Sequence, residues 1–211
     1  MNVRRLYDVL FAAYGPQYWW PADTPFEVMI GAILTQNTAW TNVEKAIENL
    51  KSSGALKSPS AMSRFSTKKI ARLIKPAGYY NVKAKRIHNF LAFLDRSCGL
   101  KLERLSQKTT AELRKSLLDV NGIGPETADS MLLYAFGRPV FVVDAYAKRV
   151  FSRHGMIRTG VSYEAVQEIC MNSLPADVRL YNEYHALIVR LGKDFCRPTP
   201  KCELCPLAGT K

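Results

Sequence analysis

The sequence is short of acidic side chains and has no long apolar run. Eighteen Asp and Glu stand against thirty Lys and Arg in 211 residues, so the formal net charge is +12. This imbalance favours a polyanionic partner such as DNA or RNA, although a well-charged soluble surface is the alternative interpretation. No stretch approaches the ~20 apolar residues that a membrane-spanning helix needs. We therefore expect no membrane partner.

The N-terminus lacks an apolar core ahead of a small-residue cleavage site, so we expect a cytoplasmic protein. Cysteines are few, and disulfides are not expected in that compartment. Cys98 and Cys170 stand alone in helical patterns, which predicts buried thiols. By contrast, Cys196, Cys202 and Cys205 fall within the last sixteen residues. Such clustering is typical of a metal or iron–sulfur site.

Strand patterns are nearly absent, and apolar residues recur at helical spacing along most of the chain. Thr24 and Pro25 form a cap and first-turn pair for a helix over residues 24–34. The one β-branched run, residues 139–143, is short and is expected to be an extended link. Further helices are predicted over residues 3–13, 41–50, 66–74, 81–94, 109–118, 125–136, 145–154, 163–173 and 177–192. The predicted fold class is all-α.

Two glycines separated by one apolar residue lie between two of these predicted helices. We expect positive φ at both Gly122 and Gly124, which would allow a tight turn. Pro125 would then begin the next helix, whose free amides and dipole suit a phosphate oxygen. The alternative is an ordinary turn between two helices.

Residues 117–153, which contain this turn, resemble the helix-hairpin-helix segment of the endonuclease III superfamily of DNA glycosylases. Residues 120–128 match the hairpin, and Val143-Asp144 match the Val-Asp pair that ends an apolar link. Residues 34–38 (LTQNT) resemble the family's glutamine-bearing loop, and residues 78–84 (GYYNVKA) resemble its GxYxxKA turn. The resemblance runs from about residue 25 to the C-terminus.

This resemblance implies a two-lobed helix-hairpin-helix glycosylase fold that binds double-stranded DNA containing a damaged base. A helical barrel would cover residues 22–137 and end in the hairpin. Residues 1–21 plus 138–211 would form the terminal lobe, with DNA across the cleft between the lobes. We expect a monomer, associated with the nucleoid if the source is bacterial or archaeal.

Asp144 falls on the family's catalytic aspartate, although a plain helix N-cap is the structural alternative. A carboxylate there would stabilise positive charge on the sugar, or activate water, as the base departs. Family members that also nick the strand use a hairpin lysine to form a Schiff base. Here Glu126 takes that position, and a carboxylate cannot form an imine. We therefore predict a monofunctional glycosylase with weak or absent lyase activity.

Trp19, Trp20 and Pro21 precede the barrel and, with Glu126, are the predicted base pocket. Paired tryptophans usually lie in a core, but they could instead stack on an extruded cationic base. The Trp-Trp-Pro run and Glu126 resemble the 3-methyladenine DNA glycosylase branch, which implies an alkylated purine substrate. The alternatives are a bifunctional endonuclease III-type enzyme, a uracil or thymine mismatch glycosylase, and a non-catalytic DNA-binding module.

The resemblance also implies which residues contact DNA and which hold a cofactor. Gln36 would enter the hole left by the flipped base. The three histidines, His88, His154 and His185, receive no role. The predicted DNA-binding residues are Gln36, Asn37, Lys83, Gly122, Gly124, Thr127 and Lys148.

The cysteine tail has the spacing C-x5-C-x2-C, formed by Cys196, Cys202 and Cys205. It resembles the family's C-x6-C-x2-C-x5-C loop, which implies a [4Fe–4S] cluster that fixes a basic loop against DNA. The first gap is one residue shorter than in the family. The last spacing would place a fourth cysteine at position 211, which is Lys. Zinc with a fourth ligand elsewhere is the alternative occupant.

Overall fold

The computed structural model describes residues 1–209, and no β-strand occurs among them. Residues 139–143 form an extended link, as predicted. No helix within residues 1–209 is both long and apolar enough to span a membrane. The α-helices of this part of the chain are α1 Val3–Tyr14, α2 Pro25–Leu34, α3 Trp40–Ser52, α4 Pro59–Ser63, α5 Thr67–Leu73, α6 Tyr80–Cys98, α7 Leu102–Leu105, α8 Thr110–Leu118, α9 Pro125–Ser130, α10 Ala145–Arg153, α11 Tyr163–Ser173 and α12 Val178–Asp194.

The chain divides into two compact units. Ala22–Phe136 forms the middle unit. Met1–Pro21 joins the described residues from Gly137 onward to form the terminal unit.

Helix α2 is the centre of the middle unit. The apolar spacing predicts one buried face, yet every residue from Phe26 to Leu34 is buried. The reason is composition, because Glu27 is the one polar residue of this helix and a helix that is apolar all round packs on all sides. The Glu27 carboxylate is 5% exposed and lies 2.9 Å from Lys51 Nζ on α3. The buried charge is therefore paired.

Local capping sets where the helices of the middle unit begin. Thr24 accepts a hydrogen bond from Glu27 N at 3.1 Å, and Pro25 takes the first position, as predicted. Helix α8 begins one residue later than the sequence indicated. Its cap is Thr109, which forms a reciprocal capping box with Glu112. Helix α9 continues into a π-helical turn over Met131–Ala135.

Helix α12 is the centre of the terminal unit, where it packs against α1 and α10. Its Tyr184 is fully buried and donates a hydrogen bond to Val3 O at 2.7 Å. Phe141 of the extended link meets the ring of Tyr184 edge-on at 5.5 Å. A Cβ added at Gly192 would collide with the ring of Tyr146. Glycine at this position therefore lets α10 approach α12 closely.

Candidate active site

The predicted hairpin lies between α8 and α9, and its two glycines have different conformations. Gly122 has φ of +100°, and a Cβ there would also collide with the Arg86 side chain on α6. Gly124 has φ of −93° and caps α9 in an extended conformation. The prediction of positive φ is therefore confirmed at Gly122 and wrong at Gly124. Gly124 is exposed at the start of α9, and Pro125 takes the first helical position, as predicted.

The predicted glutamine loop is bonded directly to this hairpin. Gln36 Nε2 donates to Gly122 O at 3.1 Å and to Thr127 Oγ1 at 2.9 Å. Arg86 donates to Gln36 Oε1. Thr127 is 6% exposed, and its hydroxyl accepts the bond from the glutamine loop. Contact of this residue with DNA stays a prediction.

Lys83 does not face solvent, which contradicts its predicted contact with DNA. The side chain is 1% exposed, and Nζ donates to Leu34 O and Ala77 O at 2.8 Å each. A third bond runs to Thr38 Oγ1 at 2.6 Å. Burial, together with the nearby Arg86 charge, lowers the pKa of Lys83 to about 8. Lys83 thus fastens the glutamine loop to the turn before α6.

Two residues at the tips of these linked turns point to solvent. Asn37 is exposed and has φ of +52°. Tyr79 is 72% exposed, has φ of +44° and stands at the start of α6. No sequence motif selects Tyr79, which occupies a variable position of the GxYxxKA turn. An exposed aromatic ring beside the Gln36 loop is available to contact a base.

The middle unit also contains a basic segment that no sequence motif identifies. Residues 49–94 contain ten Lys and Arg and no Asp or Glu. Lys83 is buried, Arg86 binds Gln36, and Lys51 is paired with Asp23 and Glu27. The remaining seven are exposed: Lys57, Arg64, Lys68, Lys69, Arg72, Lys75 and Lys85. Counting acids and bases along the chain would have revealed this segment.

Asp144 begins α10 in the terminal unit, at the end of the extended link. Its Oδ1 accepts a hydrogen bond from Ala147 N at 2.7 Å, so the carboxylate caps the helix. The side chain keeps 12% of its surface exposed. Val143, the residue before it, is buried, and its amide donates to Tyr163 Oη at 3.3 Å. The carboxylate is therefore held on a rigid junction and remains accessible.

His185 of α12 lies next to this carboxylate, although the sequence assigned the histidine no role. Its Nε2 is 3.5 Å from Asp144 Oδ2, and the residue is 6% exposed. The two residues are far apart along the chain and share no motif spacing. Only the packing of α10 on α12 brings them together.

The tryptophan pair belongs to the terminal unit, whereas Glu126 belongs to the middle unit. Trp19 and Trp20 are half-buried, with ring centroids 5.6 Å apart and planes inclined at 66°. Lys193 Nζ of α12 lies 5.9 Å from the centre of the Trp19 ring, and Pro21 is exposed. Half-exposed rings fit neither a plain core nor a free surface. Their place in a base pocket stays a prediction.

Two further predicted site residues lie near helix starts. Glu126 is exposed in the first turn of α9. Lys148 is half-buried on α10, and its Nζ donates to Val161 O at 3.4 Å. A contact from Lys148 to phosphate would have to compete with this bond.

The three tail cysteines line one cavity of about 570 Å³ together with His154 and Glu203. Arg153 donates to Cys196 Sγ at 3.3 Å, and Arg149 donates to Cys196 O at 2.6 Å. Within residues 1–209, no three His, Cys, Asp or Glu side chains converge on a point where one metal ion would bind. Position 211, where the family spacing would put a fourth cysteine, lies outside the described residues.

Comparison with known proteins gives one family for most of the chain. A family model described as HhH-GPD superfamily base excision DNA repair protein matches residues 30–176. The protein named "Putative DNA repair glycosylase MJ1434" from Methanocaldococcus jannaschii is 48% identical over 206 residues, which are 97% of this chain and 93% of that protein. Endonuclease III of Thermotoga maritima is 30% identical over 86% of this chain and 79% of its own.

A solved structure also resembles this chain. It is the H. pylori 3-methyladenine DNA glycosylase MagIII bound to 1,N6-ethenoadenine, with 29% identity and a TM-score of 0.78. The similarity covers 92% of this chain and 98% of that one. The expectation of an all-helical endonuclease III-like fold is confirmed.

Proposed function

Because the chain belongs to the HhH-GPD superfamily of base excision DNA repair proteins, we propose that it is a monofunctional DNA glycosylase. It hydrolyses the N-glycosidic bond of a flipped alkylated purine, such as 3-methyladenine, in double-stranded DNA. The observation that carries this proposal is the Asp144 carboxylate, held on a rigid junction and still partly exposed.

The chemistry follows from the charge that develops on the sugar. As the base departs with the bonding electrons, positive charge spreads over C1′ and the ring oxygen. A fixed anion beside that cation lowers the barrier, and it can also orient the water that adds to C1′. A purine nucleotide alkylated at N3 or N7, as in 3-methyladenine DNA, already carries positive charge, so departure of the base needs no general acid. Asp144 can supply the negative charge, and no second catalytic acid is required.

Glu126 supports hydrolysis rather than β-lyase chemistry. It occupies the position at which the strand-nicking members carry an amine, and a carboxylate forms no Schiff base with C1′. Borohydride reduction in the presence of lesion-bearing DNA tests this point, because it traps an imine as a covalent adduct. We expect base release without an adduct. A covalent adduct in high yield would favour the bifunctional alternative.

The substrate class is supported by two features. The half-buried tryptophan pair offers aromatic faces to a cationic base. Stacking and cation–π attraction would both contribute to binding such a base. The H. pylori enzyme at 29% identity acts on 3-methyladenine. Duplexes carrying 3-methyladenine, 7-methylguanine, hypoxanthine, uracil or a G·T mispair, scored for base release, would test this assignment. The assignment would be overturned if the enzyme released uracil or thymine and none of the alkylated purines.

DNA binding is supported by the middle unit. In the hairpin, Gly124 is exposed at the start of α9, and the exposed Asn37 and Tyr79 stand on turns that Lys83 fastens together. We assign Tyr79 to stack on a base next to the lesion. The seven exposed basic residues of the segment 49–94 would contact phosphates of the flanking duplex.

We further propose that Cys196, Cys202 and Cys205 hold a [4Fe–4S] cluster. Two features support this assignment: the three thiols line one cavity, and their C-x5-C-x2-C spacing is typical of cluster ligands. When bound, the cluster would fix the tail against α10 and take no part in bond cleavage. Iron and sulfide analysis tests this: Cys202→Ser should lose both, whereas Cys98→Ser, at an isolated buried thiol, should keep them. An iron-free wild type purified without oxygen would overturn the proposal.

A further inference from the structure

The two oxygens of the Asp144 carboxylate have different neighbours. Oδ1 accepts the Ala147 amide at 2.7 Å, which fixes one corner of the group to the first turn of α10. Oδ2 faces His185 Nε2 at 3.5 Å, which is within ion-pair range and longer than an ordinary hydrogen bond. A carboxylate held by one oxygen can still rotate about its Cβ–Cγ bond. The second neighbour is therefore the group that can set the plane of the carboxylate.

We propose that His185 is a positioning residue that holds Asp144 Oδ2 through its Nε2–H. The inference rests on the proposed function, in which Asp144 stabilises the sugar cation. An anion stabilises a developing charge best when its orientation is set before the reaction, so that no reorganisation is needed at the transition state. His185 touches neither the base nor the sugar in this account, and it acts through Asp144.

The frame around the pair is rigid enough to make this contact specific. His185 and its neighbours Tyr184 and Ala186 are buried on α12. Gly192 lets the Tyr146 ring of α10 pack directly on α12. Arg149 of α10 donates to Gly192 O at 3.2 Å, which ties the two helices a second time. Each helix supplies one end of the histidine–aspartate contact, so its distance is fixed by helix packing and not by a flexible loop.

Two substitutions of nearly equal shape separate positioning from packing. His185→Gln keeps an N–H donor at about the reach of Nε2, whereas His185→Met has a similar length and no donor. Under single-turnover conditions with saturating enzyme, we expect His185→Met to slow base release by about 10- to 100-fold. We expect His185→Gln to stay within about threefold of the wild type. DNA affinity should be unchanged in both, because neither residue contacts the phosphates.

Wild-type rates for His185→Met overturn the proposal, and so do equally slow Met and Gln variants with wild-type melting temperatures. If His185→Met is too unstable to assay, the rate of His185→Gln alone tests the donor role. A wild-type rate in a folded Gln variant supports the donor role, and a rate at least tenfold lower contradicts it.

Asp144→Asn separates failure of this inference from failure of the proposed function. Should Asp144→Asn release bases at the wild-type rate, the proposed function itself is lost. If Asp144→Asn is inactive while His185→Met is fully active, only the positioning role is lost. In the Asp144→Asn background we expect His185→Met to cause no further loss of the residual rate, since it acts through the carboxylate. If His185→Met slows base release in the Asp144→Asn background as much as it does in the wild type, His185 acts independently of Asp144.

Discussion

At the scale of single residues, the N-cap that Asp144 forms is compatible with the catalytic role that we propose for it, although the sequence presented the two as alternatives. Its Oδ1 caps α10, and the group keeps 12% of its side-chain surface exposed. The capping bond leaves the carboxylate able to interact with another partner, because each oxygen has two lone pairs and the negative charge is shared between the two oxygens. A helix-start aspartate can therefore be structural and reactive at once.

Lys83 shows the opposite outcome, since a residue expected to bind phosphate serves the scaffold. Its pKa of about 8 lies below the ~10.4 of an unfolded chain, so between these values the unfolded state binds more protons. Stability should therefore rise with pH across this window. We expect the free energy of unfolding of the wild type, minus that of Lys83→Met, to increase by up to about 3 kcal/mol between about pH 8 and about pH 10.

Denaturant unfolding at each pH measures this difference. Lys85→Met is the matched control, because it removes a lysine that is exposed on the same helix. If the difference in the free energy of unfolding between the wild type and Lys83→Met did not change with pH, that result would contradict the lowered pKa of Lys83.

At the scale of elements, the hairpin supplies a paired test of backbone conformation. Gly122→Ala places a Cβ at φ of +100° and against Arg86, whereas a Cβ at Gly124 meets nothing within 4 Å. We expect Gly122→Ala to lower the free energy of unfolding by about 1–3 kcal/mol and Gly124→Ala by less than about 1 kcal/mol. Thermal and denaturant unfolding measure both. Equal losses would mean that the two glycines are not distinguished by conformation.

The elements also show how far the sequence could predict this structure. Thr24-Pro25 predicted the start of α2 correctly, because a cap is a local hydrogen bond. Apolar spacing could not predict that α2 is buried on all sides, nor that Lys83 points inward, since both depend on what packs around the helix. The contact of His185 with Asp144 was invisible for the same reason, because it exists only where α10 crosses α12. Motif matching predicted the hairpin and Asp144, but the burial and the contacts of residues around them depend on tertiary packing.

At the scale of the whole molecule, charge should govern affinity and not the chemical step. Exposed basic residues of the segment 49–94 would displace counterions from DNA, so log Kobs should fall with log salt by about 0.9 per phosphate contacted. We expect the combined Lys68→Gln, Arg72→Gln and Lys75→Gln variant to reduce this slope by about 2 or 3 and to leave the saturated rate of base release unchanged.

The matched control removes the same charge elsewhere on the middle unit, through Lys101→Gln, Arg104→Gln and Lys115→Gln, all of which are exposed. This control should retain the wild-type slope. If both triple variants change the slope equally, then net charge alone, and no particular surface, sets the affinity.

The most direct test of the account is the single-turnover rate of base release from 3-methyladenine DNA by Asp144→Asn. Asparagine is as good an N-cap as aspartate, so helix α10 and the melting temperature should be preserved while the negative charge is lost. We expect the rate to fall by at least about 1,000-fold, equivalent to about 4 kcal/mol of transition-state stabilisation, with DNA affinity retained. A folded Asp144→Asn variant that releases the base within about tenfold of the wild-type rate would contradict the central role of this carboxylate.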